Sequence, residues 1–232
     1  LLNHLHGARV SKFEYSADIS AEIACLANQL IQDGKTPYII PTGGSDCVGA
    51  LGYVNCAREL VEQAADFGLE IDALVHATDS AGTQAGLLVG LAAIQSDIHL
   101  LGIGVRAAQD QQEQLVFNLA HRTAQHLGTG VEIARKDVHV NCGYVGAGYG
   151  LPSDGMVRSI KLLAQTEGLL FDPVYSGKGL DGLITLVKQG YFAGMNNVIF
   201  LHTGGTAALF GYPEIYDLPG YSHSKTIKNI TN

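Results

Sequence analysis

The sequence predicts an α/β fold in which helices cover both faces of an open, mostly parallel sheet. Short apolar segments alternate along the chain with longer segments of helical periodicity, and this alternation is typical of βαβ units. The segment Ile71–Ala77 is almost uniformly apolar, as a parallel strand that is covered on both faces should be. With 232 residues, of which 47% are hydrophobic, the chain is long enough to bury a large core.

The first elements are predicted from apolar patterning and glycine signals. Strands are predicted over Ala8–Tyr15 and Pro37–Ile40, and a helix that ends at Gly34 lies between them. The apolar residues of this helix recur at helical spacing: Ile23, Leu26, Ala27, Leu30 and Ile31. A glycine-rich loop, Pro41–Ser45, then leads into a second helix over Gly49–Gly68.

The rest of the chain continues the same alternation. Four further strands are predicted at Ile71–Ala77, His99–Val105, Val138–Cys142 and Asn197–His202. Four helices are predicted over Gln84–Ile94, around the shared face of Val116, Leu119, Ala120, Thr123 and Leu127, near Met156–Thr166 and near Leu180–Gln189.

Composition excludes several classes of function. The net charge is −8, and the 14 lysines and arginines do not cluster, so no nucleic-acid surface is expected. No apolar run reaches the length of a membrane span and no leader pattern is seen, so no membrane partner is expected. The four cysteines have no C-x-x-C spacing and the histidines have no ligand partners at metal spacing. We therefore expect a cytoplasmic protein without a metal site.

Three loops rich in glycine and hydroxyl groups follow predicted strands. They are Thr42–Ser45, Thr78–Thr83 and Thr203–Thr206. Ligands of parallel sheets bind where the carboxyl ends of the strands meet such loops. None of the loops matches a P-loop or a spaced G-x-G-x-x-G motif, and no G-x-S-x-G sequence occurs. Nucleotide binding and serine hydrolysis therefore lose support.

The loop Ser80–Thr83 predicts an anion site at the start of a helix. A phosphate there would accept hydrogen bonds from the N–H groups of Ala81, Gly82 and Thr83 and from the hydroxyls of Ser80 and Thr83. The helix dipole would add about 0.3–2 kcal/mol. The alternative is a tight turn between strand and helix that binds nothing.

Four segments together resemble the D-cysteine desulfhydrase and 1-aminocyclopropane-1-carboxylate deaminase family. They read SAGTQAG (80–86), GYGLPSDGM (148–156), EGLLFDPVYSGKG (167–179) and FLHTGG (200–205), and PTGGSDCVGALGY (41–53) fits as well. The resemblance implies a two-lobed fold of the tryptophan-synthase β type that binds pyridoxal phosphate. Residues 1–55 would then be the remainder of the smaller lobe, and residues 56–232 the larger, cofactor-binding lobe.

The resemblance also implies roles for individual residues. Ser80, Ala81, Gly82 and Thr83 would bind the cofactor phosphate, and the hydroxyl of Thr203 would lie near the pyridine nitrogen. Tyr175 and Tyr149 match the tyrosines that face the substrate, where a nearby cationic cofactor could lower the pKa of a phenol. Both tyrosines could instead be packing residues.

The activity implied by the resemblance is a carbon–sulfur lyase that acts on a small amino acid. β-Elimination would give pyruvate and ammonia, with D-cysteine as the favoured substrate and L-cysteate close behind, in a homodimer. Ring-opening deamination is the alternative activity. It is less favoured because the ring-opening deaminases of the family have leucine and glutamate where this chain has Thr203 and Ser176. A non-catalytic binding domain is the other alternative.

In the family, the lysine that forms the Schiff base and a Ser-Asn-His stretch that binds the substrate carboxylate come before the region matched here. The fold is therefore expected to be incomplete in this chain, which alone would bind pyridoxal phosphate weakly until that segment is added. Lys178 follows the DPVYSG motif, and we interpret it as a structural lysine. His202 is expected to be a satisfied core histidine.

Overall fold

A computed structural model describes residues 2–14, 16–128 and 130–216, which form two compact units divided between Gly44 and Ser45. The first unit contains helices α1 (Leu2–Leu5) and α2 (Ile19–Gln32) and a 3-10 turn over Thr42–Gly44. Helix α2 confirms the predicted first helix, and the Asp18 carboxylate caps it by accepting from the Ala21 N–H at 3.1 Å. The predicted division into lobes at residue 55 stays a prediction.

The two strands predicted in this first unit are wrong. Residues 8–14 and 37–40 have no regular secondary structure, and Tyr15 lies outside the described residues. A strand needs a neighbour to satisfy its backbone groups, and residues 2–14 and 16–44 contain no strand that could pair with either segment. Tyr38 and Ile40 are 78% and 67% exposed, so the local apolar composition did not lead to burial.

The second unit is built on a four-stranded sheet. Its strands are β1 (Ala73–Thr78), β2 (His99–Gly104), β3 (His139–Asn141) and β4 (Val198–Leu201), in the order β3-β2-β1-β4. All three neighbouring pairs are parallel, so the four predicted strands and the parallel sheet are confirmed. Thr78 is paired with Gly104, and β1 and β2 therefore end at the same level.

Five α-helices accompany the sheet among the described residues of this unit. They are α3 (Cys47–Asp66), α4 (Gly82–Ala93), α5 (Gln109–Leu127), α6 (Asp154–Glu167) and α7 (Ser176–Lys188). Alternate residues of β1 point to opposite faces: Leu74 joins a core with α3, α4 and α5, whereas Val75 joins a core with α7. Helices on both faces are thereby confirmed. No helix of the described residues is long and apolar enough to cross a membrane.

Helices α3 and α4 approach each other so closely that side chains are excluded at the crossing. A Cβ added to Gly90 would meet the Val54 carbonyl oxygen at 2.6 Å and the Ala57 Cβ at 2.7 Å, and one added to Gly86 would meet the Tyr53 Cβ at 2.6 Å. A Cβ added to Gly52, on α3, would have no atom within 4 Å.

We expect Gly86→Ala to destabilise the protein by about 1–3 kcal/mol, because the new methyl group must separate two packed backbones. The matched change Gly52→Ala should stabilise it by about 0.5–1 kcal/mol, because alanine has the higher helix propensity and meets nothing there. Urea unfolding measures both. Equal effects of the two substitutions would contradict the close approach of the two helices.

His76 lies in the middle of β1 with none of its surface exposed. Its Nδ1 is 2.8 Å from the Ala77 carbonyl oxygen, and among the described residues its Nε2 has no partner. Burial lowers the pKa of His76 to about 4, against which the hydrogen bond to Ala77 has the smaller effect. The folded protein therefore holds this imidazole neutral at pH values where the unfolded chain protonates it.

Stability should consequently fall as the pH decreases from about 6.5 towards about 4, because the unfolded state binds the additional proton in this window. Between pH 7 and pH 4.5 the wild-type protein should lose about 2–3 kcal/mol more than His76→Leu, which has no titrating group there. Urea unfolding at several pH values gives the difference. Parallel pH profiles would show that His76 does not have a lowered pKa.

Candidate active site

The loops that follow β1 and β4 lie at one edge of the sheet, because the two strands are parallel neighbours. These loops are two of the three predicted ligand-binding loops, Thr78–Thr83 and Thr203–Thr206. The third, Thr42–Ser45, follows no strand, and only its last residue belongs to the second unit. The predicted edge is therefore formed by two loops together with Ser45.

The loop after β1 bends sharply into α4. Ala81 is the N-cap residue and has a left-handed backbone with φ of 74°, and its side chain provides no cap. Ala81 and Gly82 are buried, whereas Ser80 and Thr83 are partly exposed. The first N–H groups of a helix lack intrahelical partners, so this turn presents backbone donors together with two hydroxyls.

Ser45 occupies a place at this turn that sequence analysis did not assign to it. Its hydroxyl donates to the Ser80 Oγ at 2.7 Å and accepts from the Gly82 N–H at 3.2 Å. A Cβ on Gly82 would meet the Ser45 Oγ at 2.6 Å, so only glycine leaves room for this contact. The glycine-rich sequence before Ser45 predicted a loop, but it did not predict that Ser45 would contact Ser80 and Gly82.

Asp79 does not compete for the donors of this turn, because its carboxylate pairs with a cation. Its Oδ2 lies 3.8 Å from the Arg106 Nη1, and the Arg106 guanidinium lies 5.6 Å from the centre of the Tyr149 ring. Burial raises the pKa of Asp79, and the charge of Arg106 acts in the opposite direction. Sequence analysis did not predict a role for Arg106.

Gln112 of α5 holds the end of β1 in place. Its Nε2 donates to the Asp79 carbonyl at 2.8 Å and approaches the Thr78 Oγ1 at 3.4 Å, and the residue is fully buried. Gln112 stands four residues before Val116, on the apolar face of α5. A glutamine on the apolar face of a predicted helix could have indicated a buried hydrogen bond at this position.

A buried carboxylate begins α7 and thereby places Tyr175. Asp172 accepts hydrogen bonds from the N–H groups of Val174, Tyr175 and Ser176 and from the Ser176 hydroxyl, at 2.6–2.9 Å. The Ser176 hydroxyl also accepts from the Asp172 N–H at 2.9 Å. This reciprocal cap explains why α7 begins at Ser176, four residues before the predicted start.

The loop that contains Thr203 packs against the Asp172 carboxylate. The following glycines, Gly204 and Gly205, have φ of 104° and 100°, and a Cβ on Gly205 would meet the Asp172 Oδ2 at 2.7 Å. The loop of Thr203 therefore packs directly against the residue that fixes the backbone of Tyr175.

The protein's own groups raise the pKa of both candidate tyrosines. For Tyr175 the largest cause is burial, followed by the negative charge of Asp79. Burial also has the largest effect on Tyr149, which is 46% exposed, with Asp79 next and Arg106 opposing. The groups of this chain thus keep both phenols protonated at neutral pH, and a lowering of either pKa by a cationic cofactor stays a prediction.

The structure tests the predicted roles of His202 and Lys178. His202 is exposed and stacks on Phe171 with 4.2 Å between ring centres, so the prediction of a core histidine is wrong. Phe171 itself is buried in the core beside α6 and α7, so His202 covers the edge of this core from outside. Lys178 is fully buried and bonded to backbone carbonyls, which agrees with a structural lysine.

The comparison with protein families identifies the cofactor class of this site. A family model described as pyridoxal-phosphate dependent enzyme matches residues 1–204. The chain belongs to this family. The predicted resemblance is therefore confirmed at the level of the family.

Individual relatives and solved structures agree with this assignment. D-cysteine desulfhydrases from Salmonella paratyphi C and Salmonella typhi are each 38% identical over 212 residues, which cover 91% of this chain and 63% of the relative. A crystal structure of an ACC deaminase homologue is 31% identical with a TM-score of 0.82, and the match covers 92% of this chain and 63% of the other. An O-ureido-L-serine synthase, at 15% identity and a TM-score of 0.61 over 96% of this chain and 66% of its own, shares the fold. The chain thus spans 63% of the length of the curated relatives it matches.

The turn at Ser80–Thr83 fits the phosphate of pyridoxal phosphate. It offers backbone donors at a helix start, of which the Gly82 N–H also bonds to the Ser45 hydroxyl, and the hydroxyls of Ser80 and Thr83 are partly exposed. Gly82 permits the close approach of Ser45, and Asp79 is paired with Arg106. The donor set is neutral, so the helix start and the hydroxyls would have to carry the binding energy.

We expect Gly82→Asp to weaken the binding of pyridoxal phosphate by about tenfold or more, because it removes donor access and adds a like charge at the anion. Gly52→Asp is the control, since it adds the same charge at an open position of α3. Calorimetric titration with pyridoxal phosphate, and with inorganic phosphate, measures the affinities. Equal affinities of the two variants would place the phosphate elsewhere.

Proposed function

We propose that the protein is a pyridoxal-phosphate-dependent carbon–sulfur lyase that converts a small sulfur-containing amino acid to pyruvate and ammonia. D-cysteine is the favoured substrate, and L-cysteate follows closely. The observation that carries the proposal is the turn of glycine and hydroxyl residues at Ser80–Thr83, at the same edge of the sheet as the Thr203 loop, in a chain with 38% identity to D-cysteine desulfhydrases. A homodimer in the cytoplasm is proposed from the resemblance and from composition alone.

The cofactor residues are proposed to be Ser80, Ala81, Gly82, Thr83 and Thr203. The first four would hold the phosphate through N–H and hydroxyl donors, and the Thr203 hydroxyl would face the pyridine nitrogen without a charge. The bound cofactor supplies an electron sink at the α-carbon of the amino acid. The packing of Gly205, in the same loop, against Asp172 supports this role, since it limits the movement of the loop backbone.

Tyr175 and Tyr149 are proposed as the catalytic residues that face the substrate. The raised pKa of Tyr175 means that its Oη carries a proton at neutral pH and can donate it to a departing sulfur atom. Two N–H bonds to Asp172 fix the start of α7 and hence the direction of the Tyr175 side chain. Tyr149 lies beside Arg106, whose guanidinium faces its ring and orders it.

A deaminase that opens a cyclopropane ring is the second candidate, favoured by the TM-score of 0.82 to an ACC deaminase homologue. Two residues argue against it. The resemblance associates that activity with leucine at the position of Thr203 and glutamate at that of Ser176. The Ser176 hydroxyl is buried and bonded to Asp172, and a longer acidic side chain there would face that carboxylate.

In the full-length protein supplied with pyridoxal phosphate, Tyr175→Phe should lower kcat for sulfide release from D-cysteine by about 10²-fold, with KM nearly unchanged, if the phenol donates the proton. Tyr191→Phe is the control, because the Tyr191 hydroxyl is bonded to His99 at 3.0 Å, at the amino end of β2. Sulfide assays over a range of substrate concentrations give both constants. An unchanged kcat in Tyr175→Phe would make that residue a packing residue.

The same preparation tests the substrate class. Sulfide release from D-cysteine should exceed both sulfite release from L-cysteate and ammonia release from 1-aminocyclopropane-1-carboxylate. The opposite order would favour one of the other two activities. If cofactor-loaded protein acts on none of the three substrates, the chain is a binding domain and the proposed lyase is wrong.

A further inference from the structure

Lys178 is a buried cation that the proposed reaction does not use. It lies in the first turn of α7, and none of its surface is exposed. Its Nζ donates to two backbone carbonyls, Val145 O and Gly148 O, at 2.6 Å each. These short distances are typical of charge-assisted hydrogen bonds.

The ammonium lacks a carboxylate partner among the ion pairs of the described residues. Burial of an unpaired cation is costly, and it lowers the pKa of Lys178. An apolar side chain of similar length would avoid that cost, but it could not make the two hydrogen bonds. These two hydrogen bonds are therefore what the buried charge contributes to the structure.

The two carbonyls belong to a segment without regular secondary structure, in which Tyr149 also lies against Arg106 and the Gly148 carbonyl also accepts from the Leu151 N–H at 3.2 Å. Residues 142–153 contain no helix or strand, and Gly146, Gly148 and Gly150 have φ of 68°, 152° and 72°. Glycines in these conformations leave the unfolded segment especially free, so fixing it costs entropy. Gly148, whose carbonyl Lys178 holds, directly precedes Tyr149.

Lys178 also lies three residues after Tyr175, the N-cap of α7. The Lys178 backbone is thus part of the turn that Asp172 fixes, while its ammonium reaches the segment that contains Tyr149. One side chain connects the two tyrosines, which are separated by 25 residues in the sequence.

We propose that Lys178 is a positioning residue that fixes Tyr149 relative to Tyr175 through its bonds to Val145 and Gly148. The catalytic consequence rests on the proposed function, whereas the positioning itself does not. A lysine committed in this way is not available to bind the cofactor covalently.

The test compares wild-type protein with Lys178→Met, which keeps the apolar stem and removes the donors. Amide exchange in residues 143–150 should become about tenfold faster or more, because two charge-assisted bonds are lost. With ¹³C-labelled tyrosine, the NMR titration of Tyr149, assigned with Tyr149→Phe, should show its pKa moving towards the ordinary value as water reaches the ring. Neither readout involves lyase activity, so the positioning can fail while the proposed function stands, and the reverse.

Leu180→Ala is the control, since it removes a buried apolar side chain from the same helix, and its core cluster includes no residue of the segment. It should lower stability and leave the titration of Tyr149 unchanged. Unchanged exchange and titration in Lys178→Met would overturn the proposal, as would the same changes in Leu180→Ala. If Lys178→Met does not fold, Lys178→Gln, which keeps a neutral donor, is measured against the same criteria. Failure of both to fold while Leu180→Ala folds would make Lys178 a residue of global stability and would also overturn it.

Discussion

The carboxylate of Asp172 organises the part of the molecule on which the candidate site depends. Only 1% of Asp172 is exposed, and a buried carboxylate is tolerated only when hydrogen bonds replace its water. Three N–H groups and one hydroxyl at the start of α7 provide them. The same carboxylate limits the residue at 205 to glycine, so it fixes both the backbone at Tyr175 and the course of the Thr203 loop.

The strands and helices of the second unit could be predicted because burial leaves a periodic trace in the sequence. The segment 71–77 is mostly apolar since helices cover both of its faces, and Val116, Leu119 and Ala120 of α5 point into the core as their spacing predicted. The segment 37–40 has equally apolar residues but no strand to pair with among the described residues of its unit. Local composition cannot reveal whether a pairing partner exists.

The sequence indicated candidate site groups where one short motif contains them, and it missed contacts where distant segments meet. The turn at Ser80–Thr83 could be proposed as an anion site because the helix start and the hydroxyls are neighbours in the sequence. The contact of Ser45 with Ser80 joins residues 35 positions apart, and those of Lys178 join residues 33 and 30 positions apart. Such contacts depend on how α3 packs on α4 and how α7 packs beside the segment of Tyr149, which no local pattern encodes.

Charged groups affect the Ser80–Thr83 turn and the two candidate tyrosines differently. The Ser80–Thr83 turn contains no charged side chain, so an anion there would be held by dipoles and hydroxyls, while the nearest carboxylate, Asp79, is paired with Arg106. Asp79 instead acts on the phenols, since its charge adds to burial in raising the pKa of Tyr175 and of Tyr149. A raised pKa keeps a phenol protonated at neutral pH, and it also makes the phenol a weaker acid. In the proposed reaction both tyrosines would therefore meet the substrate as neutral hydroxyl groups that can donate a hydrogen bond, and another group would remove the α-proton.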